Sequence, residues 1–424
     1  MTKVSEGLFG KRSLRFIAAL LLLLALSAVE AAGEARTLAL EECLLLAGEH
    51  HPSLEEARAT LDAQRARLDQ VKAGTAPTGS LSASTTRNSG ADQSYSTAFT
   101  VTKLLSDSGK NALERRSQGL AIDTASESQR EAILTVRKGV KDAYYTLLLN
   151  GLKREQAANA VRTYEKHLEK AKGFYEAGAK AKFDVTKAEV DLSNARIALV
   201  SAEASLATAR AGLSNAVGIQ LGDVEAVSPF LAPRALPDEP FAVEQAMANR
   251  PDIRTARLKS ESGKLSVAIA AKGNAATVSL SGSANLSGSE WPLEDSFRAT
   301  VTLSVPVFDG GLTNARVSEA RYGAQGAEAA LRRVEQTVLY DVRSALLSVR
   351  EAEARIPVAE LLVRQAEENL TLAEGRYETG VGNVLEVADA VLAFNSAKVS
   401  HYQAQHDYSA ALAKLEQSLG GEFE

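Results

Sequence analysis

Glu386 and Asp389 stand three residues apart, so on a helix their carboxylates share one face and together can attract a cation. Taken alone, each is an ordinary solvated helix charge, and its role depends on what it faces. Other chemistries are poorly provided for. The sequence has no Gly-rich phosphate loop and no Cys/His cluster with metal-ligand spacing. His50 and His51 are adjacent, which on a helix turns their side chains about 100° apart, so surface or capping roles suit them better than a shared metal. The single cysteine, Cys43, forbids an intrachain disulfide and lies in the apolar stretch 40–47, where core packing suits it. No catalytic residue, cofactor or metal is expected, and an enzyme is the weakest of the classes open to this chain.

The elements that position these charges come in two copies, 202 residues apart. Tyr175-Glu176-Ala177-Gly178 returns as Tyr377-Glu378-Thr379-Gly380, Asp184-Val185 as Glu386-Val387, Asp107 as Asp309 and Gly218 as Gly420. Register held over such a distance indicates a duplicated unit of about 200 residues, far beyond solenoid periods. Ala188, Leu192, Ala195, Leu199, Ala202, Leu206, Ala209 and Leu213 alternate steps of four and three, and Ala390, Phe394, Ala397, His401, Ala404, Tyr408, Ala411 and Leu415 answer them. This is a coiled-coil seam, and alanine at alternate positions lets helix axes approach closely. Before each seam runs a longer helix, near 110–174 and 313–377, with Pro357 the only proline in either. About 65 residues make a rod of roughly 100 Å. Gly178-Ala179-Lys180 and Gly380-Val381-Gly382 mark the turns, so each copy contains a very long helical hairpin.

Ahead of each rod the period drops to two. Val278, Leu280, Gly282, Ala284 and Leu286 alternate with Ser279, Ser281, Ser283 and Asn285, and Phe297, Ala299, Val301, Leu303 and Val305 alternate with Arg298, Thr300, Thr302 and Ser304. A weaker pair lies near 79–103 around a turn at 88–92. These read as β-hairpins with one apolar and one hydroxyl-rich face. Closure into a barrel with lipid outside and water inside satisfies such strands, yet four are too few for a membrane barrel, whose minimum is about 8. Several chains must then share one barrel.

The N-terminus sets the compartment. Lys11, Arg12 and Arg15 precede an apolar run at 16–26 and small residues at 28–32, the order of a secretory signal peptide cleaved near Ala31. A membrane anchor would need about 20 apolar residues. Removing 1–31 takes away four basic and two acidic side chains and moves the net charge from -5 to -7. A mildly acidic exported chain is a poor nucleic-acid binder. Aromatic residues make up only 5% while alanine abounds, which favours closely packed helices over a thick globular core.

Several segments carry a resemblance over almost the whole mature chain: Pro-Val-Phe-Asp-Gly-Gly at 306–311, Arg-Tyr-Glu-Thr-Gly at 376–380, Leu-Glu-Val-Ala-Asp-Ala at 385–390, and the openings at 42–52 and 244–251. In order and duplication they resemble the TolC family of outer-membrane efflux proteins. The resemblance implies a mainly α fold with a β-barrel part. Duplicated helical hairpins would form a periplasmic α-barrel, and four strands per subunit of a homotrimer would enter a 12-stranded outer-membrane β-barrel. It implies a passive exit duct for a tripartite efflux or type I secretion system, with a periplasmic adaptor and an inner-membrane pump as partners. By position, the adaptor-contact turns are Gly178, Ala179, Lys180, Gly380, Val381 and Gly382. Asp184 and Tyr377 match the inter-hairpin gate links, and Glu386 and Asp389 match the acidic pore constriction, which would favour cations and could take a blocking multivalent metal ion. At Gly382 the family's best-known member carries an arginine gate residue, and Lys180 is the pseudo-symmetric basic candidate.

The expected layout is a signal peptide at 1–31 and a first repeat at 32–218, with a β-hairpin near 79–103 and a helical hairpin near 110–217. A Pro-rich equatorial link at 219–241 leads to a second repeat at 242–424, with a β-hairpin near 276–308 and a helical hairpin near 313–419. The alternative class is a periplasmic coiled-coil adaptor or spacer without a pore, which would have no use for two amphipathic strand pairs.

Overall fold

The computed structural model describes residues 36–87, 89 and 93–422. The expected signal peptide and most of the 88–92 turn lie outside them. Strand β1 (Arg36–Leu38) is followed by α1 (Leu40–His50), α2 (Pro52–Ala73), β2 (Thr78–Thr86), β3 (Ser94–Ser106), α3 (Lys110–Glu176) and α4 (Lys182–Val217). After β4 (Val224–Ala226) the order repeats with α5 (Glu239–Asn249), α6 (Pro251–Ala270), β5 (Thr277–Gly288), β6 (Glu294–Ser304), α7 (Leu312–Glu378) and α8 (Val384–Leu419). Both rods, α3 and α7, have 67 residues, and both returning helices, α4 and α8, have 36. Such equality is the mark of one unit folded twice. At 1.5 Å per residue each rod is roughly 100 Å long, and α7 continues unbroken through Pro357.

The two rods begin by the same device. The Asp107 carboxylate accepts from the N–H groups of Gly109 (3.0 Å) and Asn111, and Asp309 accepts from those of Gly311 (3.0 Å) and Thr313 (2.8 Å). A carboxylate here satisfies orphan donors and meets the positive end of the helix dipole. The Thr313 hydroxyl, with these backbone bonds, holds Asp309 below the usual carboxylate range.

The alanine seams face inward. Ala188, Leu192, Ala195, Ala209 and Leu213 are buried on α4, as are Ala390, Ala397, Ala404, Tyr408 and Leu415 on α8. Laterally the helices run α4, α3, α8, α7, with α2 and α6 packed against the rods nearer the sheet. Two cores sit at matching heights, one containing Val136, Val140, Leu147, Leu213 and Val217, the other Val338, Val342, Val349, Leu415 and Leu419. Cys43 is fully buried in the first. His51 caps α2, its Nδ1 accepting from the Ser53 N–H at 3.1 Å.

Each seam helix ends on a glycine wedged against the opening of its own repeat. A Cβ on Gly218 would lie 2.9 Å from His51 Cα, and one on Gly420 would lie 2.9 Å from Arg250 N, with φ at +88° and +83°. Only glycine combines that backbone with that contact. The Pro-rich link is pinned across the cores: Tyr144 donates to the Leu38 carbonyl (3.0 Å) and accepts from Ser228 N–H (2.8 Å), while Tyr408 accepts from Arg234 N–H (3.0 Å).

The four long strands form one antiparallel sheet in the order β2-β3-β5-β6, so the two hairpins join through β3 and β5. Register aligns Leu81, Phe99, Ala284 and Phe297 across all four strands, and Gly79, Val101, Gly282 and Ala299 two residues on. The intervening row is Ser80, Thr100, Ser283 and Arg298. One face is thus apolar and the other hydroxyl-rich, as period-two alternation requires. No helix among the described residues is long and apolar enough to cross a membrane.

Candidate gate at the hairpin tips

The two tips are held against each other by residues from both repeats. In the first turn the N–H groups of Ala179 and Lys180 donate to the Phe174 carbonyl, at 2.9 and 3.3 Å, and in the second the Gly382 N–H donates to Arg376 O at 2.7 Å. The second turn is tight: a Cβ on Gly382 would meet Arg376 Cβ at 3.0 Å. Asn383 caps α8, its Oδ1 accepting from the Glu386 N–H at 2.9 Å.

Lys180 crosses between the tips. Its ammonium donates to the Gly382 carbonyl at 3.2 Å and lies 5.1 Å from the Tyr377 ring centroid. The two positions related by duplication, 180 and 382, therefore touch. Tyr377 is 4% exposed and packs edge-on against Phe174, with ring centroids 5.7 Å apart. Its hydroxyl is buried without a hydrogen-bond partner. Burial pushes the phenol pKa up, and the Asp184 charge adds to this. Asp184, in the first turn of α4, is thus near enough to be felt electrostatically while making no bond to the Tyr377 hydroxyl.

Of the two expected constriction residues, Glu386 is half-buried and pairs with Arg376 Nε at 3.1 Å, while Asp389 is exposed one turn further along α8. Asp389 also acts inward. The Tyr164 hydroxyl is pushed up to about 12, first by burial and then by the charges of Asp191 and Asp389.

Contacts that the sequence did not point to lie one to two turns above the tips. Lys170 of α3 pairs with Glu378 of α7 at 2.5 Å, and His167 Nε2 lies 3.4 Å from Glu374 Oε1. Beneath them a cavity of about 20 Å³ is lined by Tyr164, His167, Ala188, Asp191, Tyr377 and Val384, among others. Positions 167 and 374 belong to different repeats and share no register. Their only sequence signal is that His167 precedes Phe174 by one heptad on the buried side of α3.

The chain thus consists of two long hairpins latched tip to tip, joined to a four-stranded sheet with two unlike faces. Residues 44–219 and 242–421 match the model of the outer membrane efflux protein family. The chain belongs to that family. It is 23% identical over 333 residues to the outer membrane protein TolC of Vibrio cholerae, covering 73% of this chain and 74% of that one. The fold is shared with the outer membrane protein VceC of V. cholerae, at a TM-score of 0.79 and 21% identity over 91% of this chain and 97% of that one. It is shared too with the Campylobacter jejuni CmeC outer membrane channel, at a TM-score of 0.82 and 16% identity over 91% and 86%. This TolC-family chain is an outer-membrane efflux protein whose rods extend into the periplasm.

Proposed function

We propose that three copies of this chain close into a single 12-stranded barrel continued by one helical tunnel, forming the passive exit duct of a tripartite efflux or type I secretion system. The carrying observation is the open sheet. Its four strands leave β2 and β6 each with one neighbour among the described residues, and its apolar face is bare, with Phe297 79% exposed. Joining β6 of one copy to β2 of the next removes both edges and gives lipid a continuous apolar wall. The rods support the same joint. Phe183, Val190 and Ile197 form an exposed heptad stripe on α4, and Leu347, Val358, Leu361 and Leu372 one on α7, the two outer flanks of the helical layer. Apolar stripes of this length call for partner helices.

In that assembly Glu386 and Asp389 repeat around the axis, giving six carboxylates in the constriction. A periplasmic adaptor, driven by an inner-membrane pump, engages the turns 178–180 and 380–382 and favours a parted arrangement of the hairpins by population shift. The energy comes from the pump; the duct does no chemistry. Planar-bilayer recording of the purified full-length protein tests this reading. Small cation-selective currents are expected, blocked by multivalent cations in the wild type and freed from block in Glu386→Ala/Asp389→Ala. Anion selectivity, or block untouched by the double substitution, would remove the acidic constriction from the account.

A further inference from the structure

His167 sits where the first rod meets the second hairpin, with 14% of its side chain exposed. Its Nε2 is sealed from solvent and, although 3.4 Å from Glu374 Oε1, finds no hydrogen-bond geometry. The elements around it bring Glu374, Tyr377 and Glu378 from α7, Asp191 from α4, and Lys170 and Tyr164 from α3 itself. Two of these carboxylates are engaged elsewhere, Glu378 by Lys170 and Asp191 by Lys187, each at 2.5 Å. Glu374 is 39% exposed, so water screens its pull on the ring. The ring is thus largely withdrawn from water at the seam between the hairpins, with Glu374 the carboxylate beside it that favours a charged imidazole and burial the influence that disfavours one.

We propose that His167 is a further gate residue, an acid-sensitive latch whose protonation parts the two hairpins. The idea rests on the duct reading above, in which parted hairpins are the open state. Burial is the largest influence on the ring and holds its pKa below the ordinary 6.5, against the opposing charges of Glu374 and Glu378. Once the hairpins part, the ring regains water and its ordinary basicity, so the parted arrangement binds the proton more tightly. The sign follows. The joined arrangement keeps its full advantage above 6.5 and loses it as pH falls through 6.5 toward the lowered value. Within that window each pH unit tilts the equilibrium toward opening by up to about tenfold per protomer.

The test is open probability in planar bilayers between pH 8 and pH 5 for the full-length trimer, His167→Gln and Glu374→Gln. Wild type is expected to open progressively below pH 6.5, His167→Gln to be flat over the range, and Glu374→Gln to respond more strongly, having lost the carboxylate that favours the charged ring in place. Acid closure of the wild type, or an unaltered acid response in His167→Gln, would overturn the latch. Lys180→Met, which loosens the tips without touching His167, separates the two readings. Channels opened by Lys180→Met but indifferent to acid would sink the latch alone, whereas a protein that conducts under neither condition would sink the duct as well.

Discussion

Replacing Lys180 with methionine keeps the aliphatic stem and removes a charge that crosses from the first turn to the second. Two contacts are lost, the ammonium bond to the Gly382 carbonyl at 3.2 Å and the cation over Tyr377 at 5.1 Å. A charge-assisted hydrogen bond contributes about 1.5–3 kcal/mol, and the low end applies to this half-buried lysine. A cation over an aromatic face adds about 0.5 kcal/mol where water reaches it. Together they stabilise the joined tips by about 2 kcal/mol per protomer, which corresponds to about a 30-fold change in the open-to-closed ratio. The assay is open probability at pH 7.5, with the exposed Lys172→Met as control for simple loss of tip charge. A Lys180→Met trimer whose open probability stays within about twofold of wild type would show that the contact does not hold the gate, and the tip geometry would have to be read as incidental.

Two further outcomes bear on the fold. Gly420→Ala forces a left-handed backbone on alanine, at about 1–2 kcal/mol, and drives a Cβ to 2.9 Å from Arg250 N; thermal unfolding in detergent is expected several degrees lower, and an unchanged midpoint would deny that this wedge is tight. Asp309→Ala removes the cap of α7 and lowers the midpoint at neutral pH. Because the Thr313 hydroxyl and the backbone cap bonds hold Asp309 below its ordinary 3.8, its contribution is present above that value and is lost as pH falls through the lowered one, so wild type and variant should converge once the carboxylate is protonated; a gap that persists there would assign the effect to packing instead.

Much of this architecture was legible in the chain because periodicity is a local property. The seam from Ala188 to Leu213 predicted an inward-facing stripe, and it is one, buried at both ends and half-buried at Leu199, Ala202 and Leu206; the alternation at 278–286 predicted a strand with two unlike faces. What joins the repeats was not legible. That β3 pairs with β5, carrying Phe99 opposite Ala284, follows from packing two hairpins side by side, which no spacing within either hairpin encodes. Asp107 and Asp309 were visible as repeated positions, but their role as caps emerges only from the backbone bend before each rod. At the tips, family likeness pointed to Asp184, Tyr377 and Lys180; Lys180 does lie over the Tyr377 ring, but its hydrogen bond goes to the Gly382 carbonyl and the Tyr377 hydroxyl is left unbonded. His167 and Glu374 lie on different rods, 207 positions apart, so only the tertiary structure brings them together.

The claim on which everything else depends is that three chains share one barrel. Native mass spectrometry of the protein extracted intact from outer membranes in mild detergent addresses it directly. A mass of three chains, falling to one when Ile197→Lys places a charge in the exposed stripe of α4, is the predicted result. A monomer or dimer from wild-type membranes would contradict the account, since four strands are too few to close a membrane barrel and eight close one filled by its own side chains, too narrow for a duct continuous with these rods.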